Sequence, residues 1–317
     1  MSPLSTLSSS REPLSMSCPR RLSPLLLLSI AARSDAFVTR PARSPSLVAV
    51  RGVPFFADEP APTVGEVLAD AEPPADDVLL STFSGGGASI REAAEFMVDS
   101  FWLRSPQNLV VGGDDPSGIA DGARSSLIAE QEDDLARKYG DLMGARRLRS
   151  GLIRAADGEG LLGLVGVEMT LLDSDGMQVL SAERSEALLK NAVASLGPKQ
   201  RREYKGSAAS ELADQLLPAN LVLIVALSNL SVSPRARRRG VAARLCREAE
   251  RVAKDDWGFA GICLQVEEGN AAARNLYEGK LGYAKAASSA VMGLRANVKT
   301  GKFEEVPTET LLLTKKL

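Results

Sequence analysis

The sequence predicts an α/β fold, in which a mixed, strongly twisted sheet is flanked by helices. Apolar runs and helical patterns alternate in the second half of the chain, at 221–232, 241–254, 261–266 and 271–278. This alternation is typical of helices that pack on the faces of a sheet. The chain of 317 residues is 44% hydrophobic and 25% charged, which is enough for one well-filled domain with an appendage.

The first 57 residues have the composition of a targeting leader and cannot supply a core. In 1–36, Arg20 and Arg21 precede a short apolar run at 25–30, which is too short to span a bilayer. Segment 37–57 begins with Phe37, contains Ser, Thr and Arg, and has no acidic residue. This layout resembles the two-part leader of plastid proteins in algae with secondary plastids. A mitochondrial or simply disordered leader is the alternative.

Segment 58–77 is acidic and proline-rich, so we expect a solvated linker before a folded domain at 78–317. A strand is predicted at 78–82, followed by a glycine turn at 85–87. That turn lacks the Lys-Ser/Thr of a phosphate loop. Ser89 and Glu92 have the spacing of a capping box for the helix that follows.

The rest of the N-terminal half predicts a loop at 106–123 and a helix at 125–139. Two strands at 149–155 and 161–172, joined by a polar turn, come next, then a helix at 183–196 and a basic loop at 197–206. Beyond the alternating region, two closing strands are predicted at 283–286 and 309–317.

Composition excludes several kinds of site. The chain has no histidine, which rules out Ser-His-Asp and Cys-His catalysis and His-ligated metals. Its three cysteines, Cys18, Cys246 and Cys263, are too scattered for a disulfide framework, and the last two are expected to be buried. The net charge of -2 gives no reason to expect a nucleic-acid or membrane partner. We therefore expect no metal, and acid–base groups drawn from Asp, Glu, Tyr, Lys or Cys.

Residues 232–242 read V-S-P-R-A-R-R-R-G-V-A, which predicts a strand that stops at Pro234 and a tight loop that leads into a helix. The first amides of a helix are unpaired and carry partial positive charge, which suits a pyrophosphate. Gly240 would let phosphate oxygens approach the backbone closely. A nucleic-acid patch at the arginines is the alternative interpretation.

This segment resembles the pyrophosphate motif of the GNAT N-acetyltransferases, namely Arg or Gln, two residues, Gly, one residue, then Gly or Ala. The downstream features of that family follow at Leu264-x-Val266, Asn270-x-x-Ala273, Leu276-Tyr277 and Gly282-Tyr283. When these motifs and the leader are considered together, the chain most resembles the plastid GNATs of plants and algae. It implies a fold in which the fourth and fifth strands splay apart and the pantetheine arm of acetyl-CoA lies between them.

The resemblance also implies roles for individual residues. Tyr277 would be the acid that protonates the departing thiolate, since a phenol is protonated at neutral pH. Backbone N–H groups near Ser231 and Val232 would receive the developing oxyanion. The full set of implied acetyl-CoA contacts is Leu230, Ser231, Val232, Arg237, Arg238, Arg239, Gly240, Val241, Ala242, Asn270, Ala273 and Tyr277.

Two points of the site remain open in the sequence. The general base is one of Glu168, Glu267 and Glu268, of which Glu168 lies on an apolar-flanked strand. Gly279 is an insertion relative to the family pattern, and we expect it to lengthen the turn after the helix while Tyr277 stays in register with Asn270.

The sequence thus predicts a monomeric, acetyl-CoA-dependent N-acetyltransferase that acts on a protein amine, either an N-terminal α-amine or a lysine, by direct attack and in a plastid. One alternative is an acetyltransferase for a small-molecule amine such as a polyamine or an amino acid. A more distant alternative is a non-catalytic protein that binds CoA or RNA.

Overall fold

The computed structural model describes residues 78–83, 85–110, 119–140 and 147–317. The predicted leader segments 1–36 and 37–57, the linker 58–77 and Cys18 lie outside the described residues. None of the described helices combines the length and the apolar character needed to cross a membrane.

Eight strands of the described residues form one mixed sheet in the order β1-β2-β3-β5-β6-β8-β7, with the short β4 paired to β3. Strands β5 and β6 run parallel, and the other pairs are antiparallel. This arrangement confirms the predicted mixed α/β fold. The strands are β1 Leu79–Thr82, β2 Ser150–Asp157, β3 Gly160–Asp173, β4 Gln178–Val179, β5 Leu221–Val232, β6 Gly261–Glu267, β7 Ala284–Asn297 and β8 Lys302–Lys316.

Helices cover both faces of the sheet. Successive side chains of a strand point to opposite faces, so a single strand packs against the helices on both sides. Leu164 of β3 belongs to a cluster with α1 and α2, whereas its neighbour Val165 belongs to the cluster that contains residues of α3, α5 and α6. The helices are α1 Gly87–Met97, α2 Asp121–Tyr139, α3 Ala182–Ala194, α4 Pro198–Glu203, α5 Ala209–Leu216, α6 Val241–Arg251 and α7 Ala271–Arg274.

Single π-helical turns extend three of these helices, at Val98–Trp102 after α1, Val252–Asp256 after α6 and Asn275–Lys280 after α7. Two short 3-10 helices lie at Pro106–Asn108 and Pro234–Ala236. A π-turn accommodates one extra residue within a helix and is frequent at functional sites.

Several local predictions were wrong. Helix α1 begins at Gly87 without a side-chain cap, so Ser89 and Glu92 lie inside it and form no capping box. The basic segment 197–206 is largely the helix α4, in which Pro198 takes the first helical position that suits proline, and α5 follows it. The closing strands β7 and β8 are far longer than predicted, because most of β7 is exposed or half-buried and lacks the run of large apolar residues that marks a core strand.

Cys246 and Cys263 are both buried and unpaired, as predicted. Burial raises the pKa of each thiol to about 12. Neither thiol is therefore a reactive group at neutral pH.

Candidate active site

Strands β5 and β6 are neighbours over only a short length and then part. Their parallel pairing covers Ala226 with Cys263 and Leu227 with Leu264, after which β5 continues to Val232 and β6 to Glu267. The edges beyond these pairs are open to a ligand. The structure thus has the splay between two parallel strands that the sequence resemblance implies. The splayed strands are numbered β5 and β6 here, rather than fourth and fifth, because the short β4 precedes them.

A cleft of about 680 Å³ occupies this splay. One wall is formed by β5 at residues 227–230, and the opposite wall by β6 and by the helical segment that carries Asn270, Ala273 and Tyr277. Helix α2 and the aromatic side chains Phe101, Trp102 and Phe303 also line the cleft. Four residues predicted to contact acetyl-CoA, namely Leu230, Asn270, Ala273 and Tyr277, therefore share one cavity.

Strand β5 contains a β-bulge at the point where it leaves β6. Ser228 and Ser231 are three residues apart, whereas their partners on β3, Gly166 and Leu164, are only two apart. Asn229 has a φ of 53° within this bulge, a left-handed conformation that asparagine tolerates better than most residues. The bulge re-aims the side chains of β5 where it borders the cleft.

The predicted phosphate loop forms the start of helix α6. Gly240 caps this helix in the left-handed region, with a φ of 77° and no side-chain cap. The first amides of α6, from Val241 and Ala242 onward, therefore remain available to an anion. Glycine suits both the left-handed backbone and a close approach of a phosphate to that backbone.

The arginines of this loop have different surroundings. Arg237 is held to the protein: its Nη2 donates to the carbonyl of Ser100 at 2.9 Å and its Nε donates to the carbonyl of Val232 at 3.3 Å. Arg238 and Arg239 are exposed and have no ion pair with any described residue. These two guanidinium groups are the cations that could meet phosphates.

Ser231 and Val232, together with the loop 237–242, lie beyond the residues that line the cleft, at the end of β5 and the start of α6. Ser231 is buried, and its hydroxyl has no hydrogen-bond partner among the described residues. Val232 pairs with Gly163 of β3. The sequence-predicted contacts thus form two adjoining groups, one in the cleft and one at the helix terminus.

Tyr277 lies in the π-turn Asn275–Lys280 and is only 6% exposed. Its ring makes an edge contact with Tyr283, with centroids 5.8 Å apart. Burial holds the pKa of Tyr277 well above its usual value, so the phenol keeps its proton. Gly279 lies within the same π-turn: the helix absorbs the inserted residue, and the prediction of a longer turn after the helix was wrong.

Asn270 has a local structural role at the cleft. Its Oδ1 accepts a hydrogen bond from the backbone amide of Ala273 at 3.1 Å and so caps α7. This cap fixes the start of the helical segment whose later turn carries Tyr277. The side-chain NH2 group of Asn270 remains for a ligand.

Glu168 lies on β3 in a buried hydrogen-bonded cluster. Tyr139 donates a hydrogen bond to its Oε1, and Ser228 donates to the same oxygen at 2.5 Å. Asn229 Nδ2 donates to the hydroxyl of Tyr139 at 3.1 Å. Glu168 is 8% exposed and does not line the cleft, whereas Ser228 and Asn229 do.

Sequence reasoning did not find Tyr139, Ser228 or Gly166 as members of this cluster. Gly166 faces Ser228 in the ladder, and a Cβ at this position would lie 2.1 Å from the hydroxyl oxygen of Tyr139 and 2.6 Å from that of Ser228. The signal available in the sequence was a glycine inside an apolar strand, which often marks a close approach of other groups.

The other two candidate bases differ from Glu168. Glu267 lines the cleft, but both of its oxygens accept hydrogen bonds from Arg295, at 2.8 and 3.0 Å. Glu268 is not among the residues that line the cleft. Of the three carboxylates, Glu168 is the one with a hydrogen-bond donor, Ser228, that itself lines the cleft.

The α2 side of the cleft is acidic. Asp134 is paired with Lys138 at 2.9 Å, but Asp133 has no ion pair with any described residue. Glu130 is exposed and accepts a hydrogen bond from the backbone amide of Phe303 at 3.2 Å. Arg137 and Lys138 also line the cleft, but both pair with Asp134, so Glu130 and Asp133 have no ion pair among the residues that the structure describes.

Comparison with known proteins gives one family match. Residues 220–283 match the model of the acetyltransferase (GNAT) family. This range contains β5, the phosphate loop, α6, β6 and the segment with Tyr277. No curated protein matches the chain.

Solved structures of acetyltransferases resemble the chain at low identity. NAA60 of Arabidopsis thaliana in complex with acetyl-CoA is 15% identical with a TM-score of 0.41, over 76% of this chain and 98% of that one. The ribosomal-protein-alanine N-acetyltransferase of Brucella melitensis is 12% identical with a TM-score of 0.41, over 75% and 99%. The polyamine N-acetyltransferase of Drosophila melanogaster is 14% identical with a TM-score of 0.40, over 76% and 100%.

The family match covers the part of the chain that builds the splayed strands and the helix terminus. It agrees with the motif at Arg237–Ala242 and with the position of Tyr277. Residues 220–283 of this chain are therefore similar in sequence to the acetyltransferase (GNAT) family, and they form part of the wall of the cleft and the start of α6.

Proposed function

We propose that the protein is an N-acetyltransferase that takes the acetyl group from acetyl-CoA and transfers it directly to an amine of a protein. The observation that carries this proposal is the cleft between β5 and β6, which has Tyr277 on one wall and is bordered by β5, the strand that leads into the loop before α6. Both features lie in the segment that matches the acetyltransferase family.

The residues of the chain fit acetyl-CoA in order along the splay. The amides at Gly240, Val241 and Ala242 would hold the pyrophosphate, with Arg238 and Arg239 supplying positive charge. The open edge of β5 would contact the pantetheine arm, and its backbone N–H groups near residues 230–232 would stabilise an oxyanion.

Acid–base chemistry in this proposal falls to two buried groups. Tyr277 retains its proton and would donate it to the sulfur as the thiolate departs. Glu168 would receive the proton that the acceptor amine must lose before it can attack. No covalent enzyme intermediate is needed, because the amine attacks the thioester directly.

The acidic side of the cleft supports a positively charged acceptor. Glu130 and Asp133 lie beside the aromatic residues Phe101, Trp102 and Phe303, and neither carboxylate has an ion pair among the described residues. A lysine side chain or an N-terminal α-amine with basic neighbours fits this charge. A polyamine fits it as well, and is the second candidate acceptor.

We also propose that the protein acts in a plastid and that 1–57 is removed on import. The support is the leader composition, with an apolar run followed by an arginine- and hydroxyl-rich segment without acidic residues. N-terminal sequencing of the native protein tests removal, since a mature N-terminus at Ser2 would contradict it. A fluorescent fusion of 1–57 that accumulates in mitochondria would overturn the location alone.

The decisive experiment is acetyl transfer with purified protein, acetyl-CoA and three acceptor conditions: a peptide library, a polyamine panel and no acceptor. Preferred turnover on peptides is the expected result. Turnover confined to polyamines would replace the protein acceptor by the second candidate. Acetyl-CoA binding without transfer to any amine would overturn the enzymatic proposal in favour of a non-catalytic CoA-binding protein.

A further inference from the structure

We propose that Ser228 relays the proton of the acceptor amine to the buried Glu168, and that Tyr139 and Asn229 are positioning residues for this relay. The inference rests on the proposed acetyltransferase function and adds the route by which its base reaches the substrate. It concerns a cluster in which only Ser228 and Asn229 border the cleft.

Glu168 lacks a direct path to the cleft. Its side chain lies on β3, which is the strand on the far side of β5 from the splay, and it is 8% exposed. Ser228 lies on β5 between Glu168 and the cleft, and contacts both. A proton that moves from an amine in the cleft to Glu168 must therefore pass through the Ser228 hydroxyl, unless the Ser228 side chain moves aside.

The hydrogen bonds within the cluster leave the Ser228 oxygen able to accept that proton. Asn229 Nδ2 can only donate, so it occupies a lone pair of the Tyr139 hydroxyl oxygen, and the Tyr139 proton goes to Glu168. The Ser228 hydroxyl donates its only proton to Glu168 at 2.5 Å, and its oxygen also lies 3.0 Å from the Tyr139 hydroxyl, whose proton is directed to Glu168. Since a hydroxyl has two lone pairs, the Ser228 oxygen keeps acceptor capacity toward the cleft that it lines.

The charges around the cluster preserve these donor and acceptor roles. Burial, and next the negative charge of Glu168, hold the pKa of Tyr139 well above its usual value, so Tyr139 remains a donor. Lys138 of α2 is the cation that interacts with Glu168. The ladder neighbours of Glu168 are uncharged: Ser150 on β2 and Ala226 on β5.

The proton step balances without another reactant. The acceptor ammonium gives one proton to Ser228 Oγ, and the original Ser228 proton passes to Glu168 Oε1. The products are a neutral amine with a free lone pair and a neutral carboxylic acid, which later returns its proton to solvent. Asn229 and Tyr139 take no proton, and their part is to hold the Ser228 and Glu168 oxygens in line.

The test uses acetyl transfer to a fixed peptide at saturating substrate concentrations, over a range of pH. Ser228→Ala removes the relay and Glu168→Gln removes the base, and each is expected to lower kcat by about 100-fold or more with an unchanged Kd for acetyl-CoA. Ser228→Thr keeps a hydroxyl and is expected to retain most of kcat.

Tyr139→Phe gives the readout that a purely structural cluster would not move. It removes a hydrogen-bond donor to the Glu168 carboxylate and so favours the neutral acid, and the acidic limb of the kcat–pH profile is expected to move to higher pH.

Thr170→Val is the matched control. Thr170 is a buried hydroxyl on the same strand, and it donates to the carbonyl of Leu180 at 2.7 Å, away from the cleft. Loss of this hydroxyl is expected to lower the midpoint of thermal unfolding without moving the kcat–pH profile.

Three results would count against the relay. Wild-type kcat in Ser228→Ala, or an unshifted kcat–pH profile in Tyr139→Phe, would overturn it while the acetyltransferase function stands. A wild-type protein that transfers acetyl to no amine would overturn the proposed function and the relay together.

Discussion

Replacing Gly166 by alanine is the perturbation whose consequence the structure specifies most closely. A Cβ on Gly166 would lie 2.1 Å from the Tyr139 hydroxyl oxygen, 2.9 Å from its Cζ and 2.6 Å from the Ser228 hydroxyl oxygen. Tyr139 is itself buried at the end of α2, so its ring cannot move aside freely. We expect the alanine to push Tyr139 and Ser228 away from Glu168.

The expected loss of stability combines three effects. Overpacking a buried site typically costs about 1–3 kcal/mol. A lost hydrogen bond to a charged group costs about 1.5–3 kcal/mol. Against these, replacing glycine by alanine where the backbone permits it stabilises by about 0.4–1 kcal/mol.

The net expectation is a decrease of about 1.5–5.6 kcal/mol in the free energy of unfolding. For a domain of this size, at roughly 2–4 °C per kcal/mol, the midpoint of thermal unfolding should fall by about 3–22 °C.

The assay is thermal and urea unfolding of the Gly166→Ala protein beside a matched control. Gly151→Ala changes a glycine on the adjacent strand β2, where the nearest atom to the new Cβ would be Val167 Cγ1 at 3.6 Å. It is expected to be neutral or slightly stabilising, because that distance is an ordinary contact.

A double-mutant cycle separates the clash from other effects of the substitution. In a Tyr139→Phe background the closest atom is gone, so Gly166→Ala should be less destabilising than in the wild type, with a coupling of about 0.5–3 kcal/mol. Equal stability of Gly166→Ala and Gly151→Ala, or zero coupling to Tyr139, would refute the packing described for this cluster.

Three further predictions concern the cofactor site and the thiols. Tyr277→Phe should keep acetyl-CoA affinity and lower kcat by at least about 100-fold, and an unchanged kcat would leave Tyr277 as a packing residue. Gly240→Asp should abolish acetyl-CoA binding in calorimetry, whereas Gly240→Asn, which tolerates the left-handed backbone without adding charge, should retain measurable binding; equal affinities would place the phosphates elsewhere. In a Cys18→Ser protein, Cys246 and Cys263 should resist maleimide labelling at pH 8 until the protein unfolds, because burial raises both pKa values to about 12; rapid labelling of the folded protein would contradict their burial.

Much of the fold was predictable, because the elements that build the centre of the sheet carry strong local signals. The apolar run at 221–232 and the loop before α6 appear in the structure at the predicted positions. The helix α4 and the length of β7 were missed, since α4 is short, polar and exposed, and β7 is largely exposed or half-buried and lacks a run of large apolar residues.

The sequence by itself predicted the half of the candidate site that we propose binds acetyl-CoA. A phosphate loop, a helix terminus and the segment from Asn270 to Tyr277 are encoded within contiguous stretches, so spacing along the chain is enough to recognise them. Only the tertiary structure decided how Glu168 reaches the cleft. Its partners Tyr139 and Ser228 lie 29 and 60 residues away in the chain, and strand register and the space left by Gly166 bring them together. Hydrogen bonds across strands depend on which residues face each other, and that register is a property of the assembled sheet.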